Sequence, residues 1–351
     1  MNCYLSRNYK GLSSAGNKAK TDIERIMEDM SFRNVGLQQT TYTNEILSFL
    51  TTLTGVLKSP FCLQKGDKLV LQYPLKKYFT FVCNMAHLRG AKVIVLIHDL
   101  GSFRRKALTI KQEIQRLNHA DYVIAHNEKM RKWLEDNGCK AKLGVLEIFD
   151  YLSETKASAK PDVKKPYSVL YAGALNLRKN TFLYEVGEYI HSFHFNLYGN
   201  GFEIDKAKGK EHFNYMGFVK SDDLIVTAQG DFGLVWDGFS ASACTGNFGE
   251  YLQFNNPHKT SLYIRCELPV IIWNKAALAD FVCKNGIGIC IDSLTDLEDI
   301  LNSLSEEQYL EMKKKTAQIG QLLSEGYFAK KALQKACLLY TSPSPRDRSL
   351  S

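Results

Sequence analysis

Short apolar runs rich in β-branched residues alternate with segments of helical periodicity along the chain, and this alternation constrains the fold more than any other feature. The predicted strands span residues 68–74, 91–99, 121–127, 168–175, 195–201, 230–238, 268–275 and 286–292. Between them, a helical segment such as residues 109–120 places Ile110, Ile114 and Leu117 on one face. The pattern predicts a parallel α/β architecture.

A polar segment interrupts this alternation near the middle of the chain. Residues 151–168 contain Pro161 and Pro166 and few apolar side chains, which predicts an exposed linker. The length of 351 residues also exceeds what one hydrophobic core usually serves. We therefore predict two Rossmann-like domains, residues 1–150 and 168–330, joined by a linker at 151–167. Their sheets are expected to face each other across a cleft, where ligands bind outside the carboxyl ends of the strands.

Composition narrows the class of protein. Hydrophobic residues make up 45% and charged residues 23%, as in folded soluble proteins, and the sequence contains no apolar run long enough to cross a bilayer. The N-terminus lacks a secretory-signal pattern, so a cytoplasmic protein is expected. The nine cysteines include no C-x-x-C pair and the chain contains no D-x-D, which predicts reduced thiols and no bound metal.

The final fifteen residues, 337–351, form a Ser/Pro/Arg string without periodicity. They resemble a translated adaptor used in preparing sequencing libraries. We therefore expect them to be non-native, with part of the native C-terminus missing.

Two stretches are candidate phosphate sites. Residues 10–27 carry Gly11 and Gly16 around two serines ahead of a predicted helix, whose free N–H groups could face a phosphate or sugar hydroxyl. An ordinary glycine turn explains this stretch equally well, and no G-x-G-x-x-G or Walker pattern is present. The stretch YAGALNLRKN ends a strand and then offers Arg178 and Lys179, cations suited to a diphosphate. Two solvated charges are the alternative.

The stretch GEYLQFNNPHKTSLYIRCELPVIIWNK, residues 249–275, concentrates hydrogen-bonding side chains ahead of a helix. The helix N-terminus and Lys259 are placed to meet the pyrophosphate of a sugar nucleotide. Asn255 and Asn256 would then contact ribose or sugar hydroxyls. An Asx-type cap with Pro257 in the first turn is the alternative, but it explains only one asparagine and the proline.

Together with VLIHDLGSFR, these motifs resemble bacterial glycosyltransferases of the GT-B fold, in the group of β-1,6-galactofuranosyltransferases and the adhesin-modifying glucosyltransferase of streptococci. The resemblance covers about residues 1–330. It implies a UDP-sugar donor held mainly by the C-terminal domain and an acceptor addressed by the N-terminal domain. It also implies inversion at the anomeric carbon without a metal or cofactor.

The resemblance also implies which residues form the site, with Arg178 and Lys259 holding the diphosphate. The full donor-binding set is Arg178, Lys179, Glu250, Tyr251, Asn255, Asn256 and Lys259. The residues expected to line the N-terminal side of the cleft are Ser14, Gly16, Asn17, Tyr73 and Pro74.

Inversion requires a general base near the acceptor hydroxyl. Asp99, with His98 beside it at the end of a predicted strand, is the first candidate, and Asp237 is the second. The alternative gives Asp99 a capping role and makes His98 a packed imidazole. Without a metal, cationic side chains and a helix N-terminus must stabilise the departing UDP.

These expectations predict a hexosyltransferase that uses a UDP-sugar, with galactofuranose the first candidate sugar and glucose the second. The acceptor is a glycan or a lipid-linked glycan of a surface polysaccharide or glycoprotein. A non-catalytic GT-B-like glycan-binding or partner subunit is the alternative. Basic residues between 104 and 132 would suit peripheral contact with an anionic membrane, or simply form a solvated face. Nucleic-acid binding is disfavoured, and self-association is left open.

Overall fold

The computed structural model describes residues 1–10, 15–103, 106–158 and 165–340. The strands are β1 (Asn2–Tyr4), β2 (Arg33–Asn34), β3 (Lys68–Tyr73), β4 (Lys92–Ile97), β5 (Tyr122–Ala125), β6 (Lys142–Val145), β7 (Val169–Ala172), β8 (Phe195–Tyr198), β9 (Phe213–Gly217), β10 (Phe232–Val235), β11 (Val270–Trp273) and β12 (Gly288–Ile291). The α-helices are α1 (Ala15–Asp29), α2 (Glu45–Cys62), α3 (Phe79–Leu88), α4 (Ile110–Leu117), α5 (Glu128–Asp136), α6 (Phe182–Glu185), α7 (Ser221–Thr227), α8 (Gly246–Tyr251), α9 (His258–Arg265), α10 (Ala279–Asn285), α11 (Leu297–Ser303), α12 (Glu306–Ser324) and α13 (Tyr327–Leu338).

The strands of the N-terminal domain form one parallel sheet in the order β2-β1-β3-β4-β5-β6. Its central strands are apolar on both faces because helices cover both sides. Leu69 and Leu71 of β3 pack into the core on one face, whereas Val70 packs with α1 and α13 on the other.

The C-terminal domain forms a second parallel sheet, ordered β12-β11-β10-β7-β8-β9. Strand order reverses between β7 and β10, the first and fourth strands of this domain. Such a switch point opens a crevice at the carboxyl ends of the two strands. The prediction of two parallel α/β domains is therefore confirmed, and every predicted strand is present.

Four strands were not predicted from the sequence. β1 and β2 contain only three and two residues. β6 and β9 are edge strands with exposed residues, so neither reads as a continuous apolar run. In α4, Ile110 is 44% exposed, against the prediction that it faces the core. Glu113 is buried instead, because its carboxylate accepts hydrogen bonds from Tyr73 and from the backbone N–H groups of Gly101 and Ser102 in the loop before α4.

The segment expected to be an exposed linker is partly packed: Tyr151 and Leu152 are buried. Helix α13 leaves the C-terminal domain and returns to the first, where Ala329, Leu333 and Cys337 join a core cluster. The predicted foreign segment thus begins inside a packed helix, while residues 341–351 lie outside the described part of the chain.

Two further findings concern composition. Seven of the nine cysteines are reduced thiols, as the sequence predicts, and five of these are buried. Cys283 of α10 and Cys290 of β12 are the exception: they are joined by a disulfide, because α10 packs directly against this strand. Within the described ranges, no helix is both long and apolar enough to cross a membrane.

Candidate active site

A cavity of about 410 Å³ opens at the switch point of the C-terminal sheet. Its walls come from the loops after β7 and β8, the N-terminal end of α9, and Tyr151 from the segment between the domains. Gly173 and Gly199 follow the two strands and cross closely, and a side chain at Gly199 would overlap the carbonyl oxygen of Gly173. Glycine at this crossing therefore lets the two loops form the cavity wall.

A buried cationic cluster borders this cavity. Nζ of Lys259 lies 2.9 Å from Oδ1 of Asp237 and 3.0 Å from the hydroxyl of Tyr171. Nζ of Lys179 lies 3.9 Å from the same carboxylate oxygen. We call Lys259, Asp237 and Lys179 the charge cluster; two ammonium groups and one carboxylate give it a net charge of +1.

The ionisation of the charge cluster follows from its burial. Burial alone would raise the pKa of Asp237, but the ammonium groups of Lys259 and Lys179 outweigh it, and the pKa of this carboxyl lies below its usual range. Burial lowers the pKa of Lys259, and Asp237 opposes that shift. Because Asp237 already accepts hydrogen bonds from Lys259 and Tyr171, the structure favours it as the anchor of Lys259.

Helix α9 begins beside this cluster without a side-chain cap: Pro257 occupies the N-cap position, and neither asparagine caps the helix. The Asx-cap alternative is therefore wrong. A Cβ atom at Gly173 would lie 4.0 Å from Nζ of Lys259, so glycine keeps the approach to the ammonium group open.

The other predicted donor residues are dispersed. Arg178 is exposed in the turn before α6 and does not line the cavity. The ammonium group of Lys179 lies over the ring of Phe248, 5.3 Å from its centroid. Asn255 lies outside the cavity, and its buried amide oxygen accepts no hydrogen bond from the described residues. Glu250 lines a separate cleft of about 250 Å³ between the domains.

Asn256 and Tyr251 connect the two domains instead of facing the cavity. The amide of Asn256 donates to the carbonyls of His126 and Glu147 and accepts from Asn127. The hydroxyl of Tyr251 accepts from the backbone N–H of Leu100. Every amide hydrogen of Asn256 is thus used within the protein, which leaves this side chain no donor for the sugar nucleotide expected from the sequence.

The predicted N-terminal side of the cleft is also revised. Tyr73 is 1% exposed, and its hydroxyl donates to Glu113 inside the domain, so it does not line the cleft. The carbonyl of Pro74 accepts from Arg7. Gly16 and Asn17 lie in the first turn of α1, and Ser14 falls outside the described residues.

The two predicted catalytic residues of the N-terminal domain lie just after β4. His98 and Asp99 are both partly exposed. The His98 ring stacks on Phe149 at 5.3 Å between centroids, and Phe149 lies 6.1 Å from the ring of His258. His258 belongs to the cavity wall, so a single aromatic ring separates His98 from the residues around the donor cavity.

Sequence reasoning missed three residues of this region. The hydroxyl of Tyr171 accepts a hydrogen bond from Lys259. Tyr171 is buried in a strand, so nothing in the sequence indicated that it would contact the charge cluster. Tyr151 and His258 stack at 5.0 Å in the cavity wall, and burial lowers the pKa of His258 to about 4. His258 stands next to Lys259 in the quoted stretch, but the sequence does not show its contact with Tyr151.

No group of three or more His, Cys, Asp or Glu side chains in the described ranges is arranged to hold a metal ion. Among the basic residues between 104 and 132, Arg131 pairs with Glu128 and Glu135, and Lys132 pairs with Asp136. These pairs are typical of a solvated helix face.

Solved structures identify the class of protein that this fold and cleft define. The lipopolysaccharide outer core galactosyltransferase WaaB aligns with a TM-score of 0.59 and 12% identity, covering 94% of this chain and 97% of that chain. HepE of Anabaena, solved in complex with UDP, aligns with a TM-score of 0.56 and 13% identity over 96% and 98%. The fold is that of the GT-B glycosyltransferases.

Sequence comparison then gives the family. Models of the N-terminal and C-terminal domains described as Glucosyltransferase 3-like match residues 2–148 and 169–336. The chain is 33% identical to the β-1,6-galactofuranosyltransferase WbbI of Escherichia coli (strain K12), over 92% of this chain and 94% of that relative. It is 24% identical to Glucosyltransferase 3 of Streptococcus gordonii, over 91% and 93%. The chain belongs to the Glucosyltransferase 3-like family and is a glycosyltransferase, which confirms the resemblance found in the sequence.

Proposed function

We propose that this glycosyltransferase moves a hexose from a UDP-sugar to a glycan acceptor, with inversion at the anomeric carbon and without a metal ion. The charge cluster beside the uncapped start of α9 is the observation that carries this proposal. Galactofuranose is the first candidate sugar, because the relative at 33% identity is named for it, and glucose is the second.

The chemistry follows from the charges. A base removes the proton of the acceptor hydroxyl while its oxygen attacks the anomeric carbon. The bond from that carbon to the diphosphate breaks, and its electron pair leaves with UDP. In this proposal, Lys259, Lys179 and the N–H groups of α9 stabilise the charge that develops on the β-phosphate.

The cavity also offers groups for the rest of the donor. Asn176 and Asn200 line it with amides suited to ribose or sugar hydroxyls, while Phe218 and Leu262 supply apolar surface. A cavity with much apolar lining and a few convergent polar groups is the usual form of a small-molecule site.

Calorimetric titration with UDP tests the donor site, first in chelator and then with magnesium. We expect binding that needs no metal and that Lys259→Met and Lys179→Met both weaken, because both ammonium groups belong to the charge cluster. Lys208→Met is the matched control, because Lys208 is an exposed lysine of the same domain paired with Glu188. Folded wild-type protein that binds no UDP would overturn the proposal and favour a non-catalytic subunit.

Turnover is tested by screening UDP-sugars with octyl glycosides as acceptors and measuring UDP release in chelator. The anomeric configuration of the product, read by NMR, decides between inversion and retention. A strict magnesium requirement or a retained configuration would refute the corresponding part of the mechanism.

A further inference from the structure

A row of hydrogen bonds in the N-terminal domain ends on His98. Nε2 of His98 lies 2.6 Å from Oε1 of Gln72. The amide nitrogen of Gln72 donates to the backbone carbonyl of Lys20 at 3.1 Å and to the hydroxyl oxygen of Tyr9 at 3.2 Å. The Tyr9 hydroxyl in turn donates to Glu24 at 2.5 Å. Gln72, Tyr9 and Glu24 are all buried, so water does not compete for these contacts.

The order of donors and acceptors in this row has one solution. A backbone carbonyl only accepts, so the amide nitrogen of Gln72 must face Lys20, and its oxygen must face His98. Because an amide oxygen also only accepts, Nε2 of His98 carries the proton. Burial lowers the pKa of His98 well below its ordinary value, and the neutral ring keeps its lone pair on Nδ1.

His126 shows what a purely structural histidine looks like in the same domain. Its Nε2 donates to the carbonyl of Ile97, and its Nδ1 accepts from the backbone N–H of Asn256, so both ring nitrogens are used. In His98, by contrast, Nδ1 has no hydrogen-bond partner among the described residues, and the side chain is partly exposed. The rings of His126 and His98 both contact Phe149, at 4.9 and 5.3 Å between centroids, but His98 is the one with a free ring nitrogen.

We propose that Gln72 is a positioning residue that holds His98 in the Nε2-protonated tautomer, so that Nδ1 accepts the proton of the acceptor hydroxyl. This rests on the proposed function, since it assigns the base of that reaction to His98 in preference to Asp99. The hydroxyl proton moves to Nδ1, the freed oxygen pair forms the glycosidic bond, and UDP leaves with the pair of the broken bond. The hydrogen bonds from Gln72 to Tyr9 and from Tyr9 to the Glu24 carboxylate hold the Gln72 amide in this orientation.

The decisive experiment reads the tautomer directly, without relying on turnover. Protein with ¹⁵N-labelled histidine gives imidazole nitrogen signals that report which nitrogen is protonated, and loss of a signal set in His98→Gln assigns His98. We compare wild type with Gln72→Met and Tyr9→Phe. Tyr4→Phe is the matched control, because Tyr4 is equally buried and its hydroxyl donates to Glu28 on the same helix at 2.6 Å.

We expect Gln72→Met to abolish the Nε2-protonated signature, Tyr9→Phe to weaken it, and Tyr4→Phe to leave it unchanged. With UDP-sugar and an octyl glycoside, kcat of Gln72→Met should fall about tenfold or more while KM for the donor stays within about twofold, because only proton transfer is misplaced. Tyr9→Phe keeps the test decisive if Gln72→Met does not fold.

An unchanged His98 signature in both variants would overturn the positioning role, whatever their activity. A shifted signature with unchanged kcat would also overturn it, since the tautomer would then not matter to the reaction. Failure of the proposed function gives a different result: wild-type protein would bind no UDP, while the His98 signature would still respond to Gln72→Met.

Discussion

Replacing Lys259 by methionine is the sharpest perturbation of the charge cluster. At 2.9 Å from Asp237, two unit charges attract by roughly 6 kcal/mol at an effective dielectric constant of about 20. Lys179, at 3.9 Å, contributes roughly 4 kcal/mol by the same formula. Lys259→Met therefore removes more than half of the attraction that keeps the buried carboxylate ionised. After desolvation is counted, breaking such a pair costs about 3–5 kcal/mol of the free energy of unfolding.

A double-mutant cycle with Asp237→Asn separates the structural role from the binding role. Adding Asp237→Asn to Lys259→Met should recover most of the lost stability in urea denaturation, because no uncompensated carboxylate remains buried. The single variant Asp237→Asn raises the net charge of the cluster from +1 to +2, so its UDP affinity should hold or increase while its stability falls.

Calorimetry with UDP decides between the two roles. Lys259→Met should bind UDP at least about tenfold more weakly than wild type, the effect expected for a buried charged contact. If Lys259→Met and Asp237→Asn weaken UDP equally, the charge cluster acts only through folding, and the reasoning that assigns it to the diphosphate is refuted.

Four further changes test other parts of the structure. Asn256→Ala removes three side-chain hydrogen bonds between the domains and should destabilise the protein by about 2–4 kcal/mol in urea denaturation; a loss below about 0.5 kcal/mol would contradict this role of Asn256. Burial raises the pKa of Asp150 from 3.8 to about 7, so the folded state binds this proton more tightly, and stability should fall as pH rises from about 4 to about 7. Asp150→Asn should reduce the difference in unfolding free energy between pH 5 and pH 8, and an unchanged difference would exclude this carboxyl. Gly199→Ala should weaken UDP binding through its overlap with Gly173, and wild-type affinity would show that the loop crossing is adaptable. Arg178→Ala should leave the denaturation midpoint and UDP binding unchanged, because the side chain is exposed and lies outside the cavity; weaker UDP binding would return Arg178 to the donor site expected from the sequence.

The sequence predicted the fold well because the buried parallel strands are continuous apolar runs. β4, β10 and β11 are covered on both faces, and apart from Lys92 at the start of β4 they read as unbroken apolar runs. The missed strands β1 and β9 are short or exposed, so their membership of a sheet depends on partners distant in sequence. The contribution of α13 to the N-terminal domain was not predicted for a similar reason, since its apolar face carries no information about which sheet it covers.

The candidate site was only partly predictable. Lys259 and Lys179 were visible as cations near strand ends, which local sequence can show. The link between Asn256 and His126 spans 130 residues, and that between Tyr251 and Leu100 spans 151. Polar side chains that clamp two domains and polar side chains that bind a ligand look alike in sequence, because only the partner distinguishes them.

The return of α13 to the first domain has a consequence for the order in which the chain can fold. Ala329, Leu333 and Ala336 complete the core beneath the N-terminal sheet, packing with Ile94 and Leu96 of β4. During synthesis, the N-terminal residues emerge long before that helix exists, so this apolar face stays open until Tyr327–Leu338 have been made. Domains generally fold as units from the N-terminus. Here, the core of the N-terminal domain is completed only after the C-terminal domain has been synthesised.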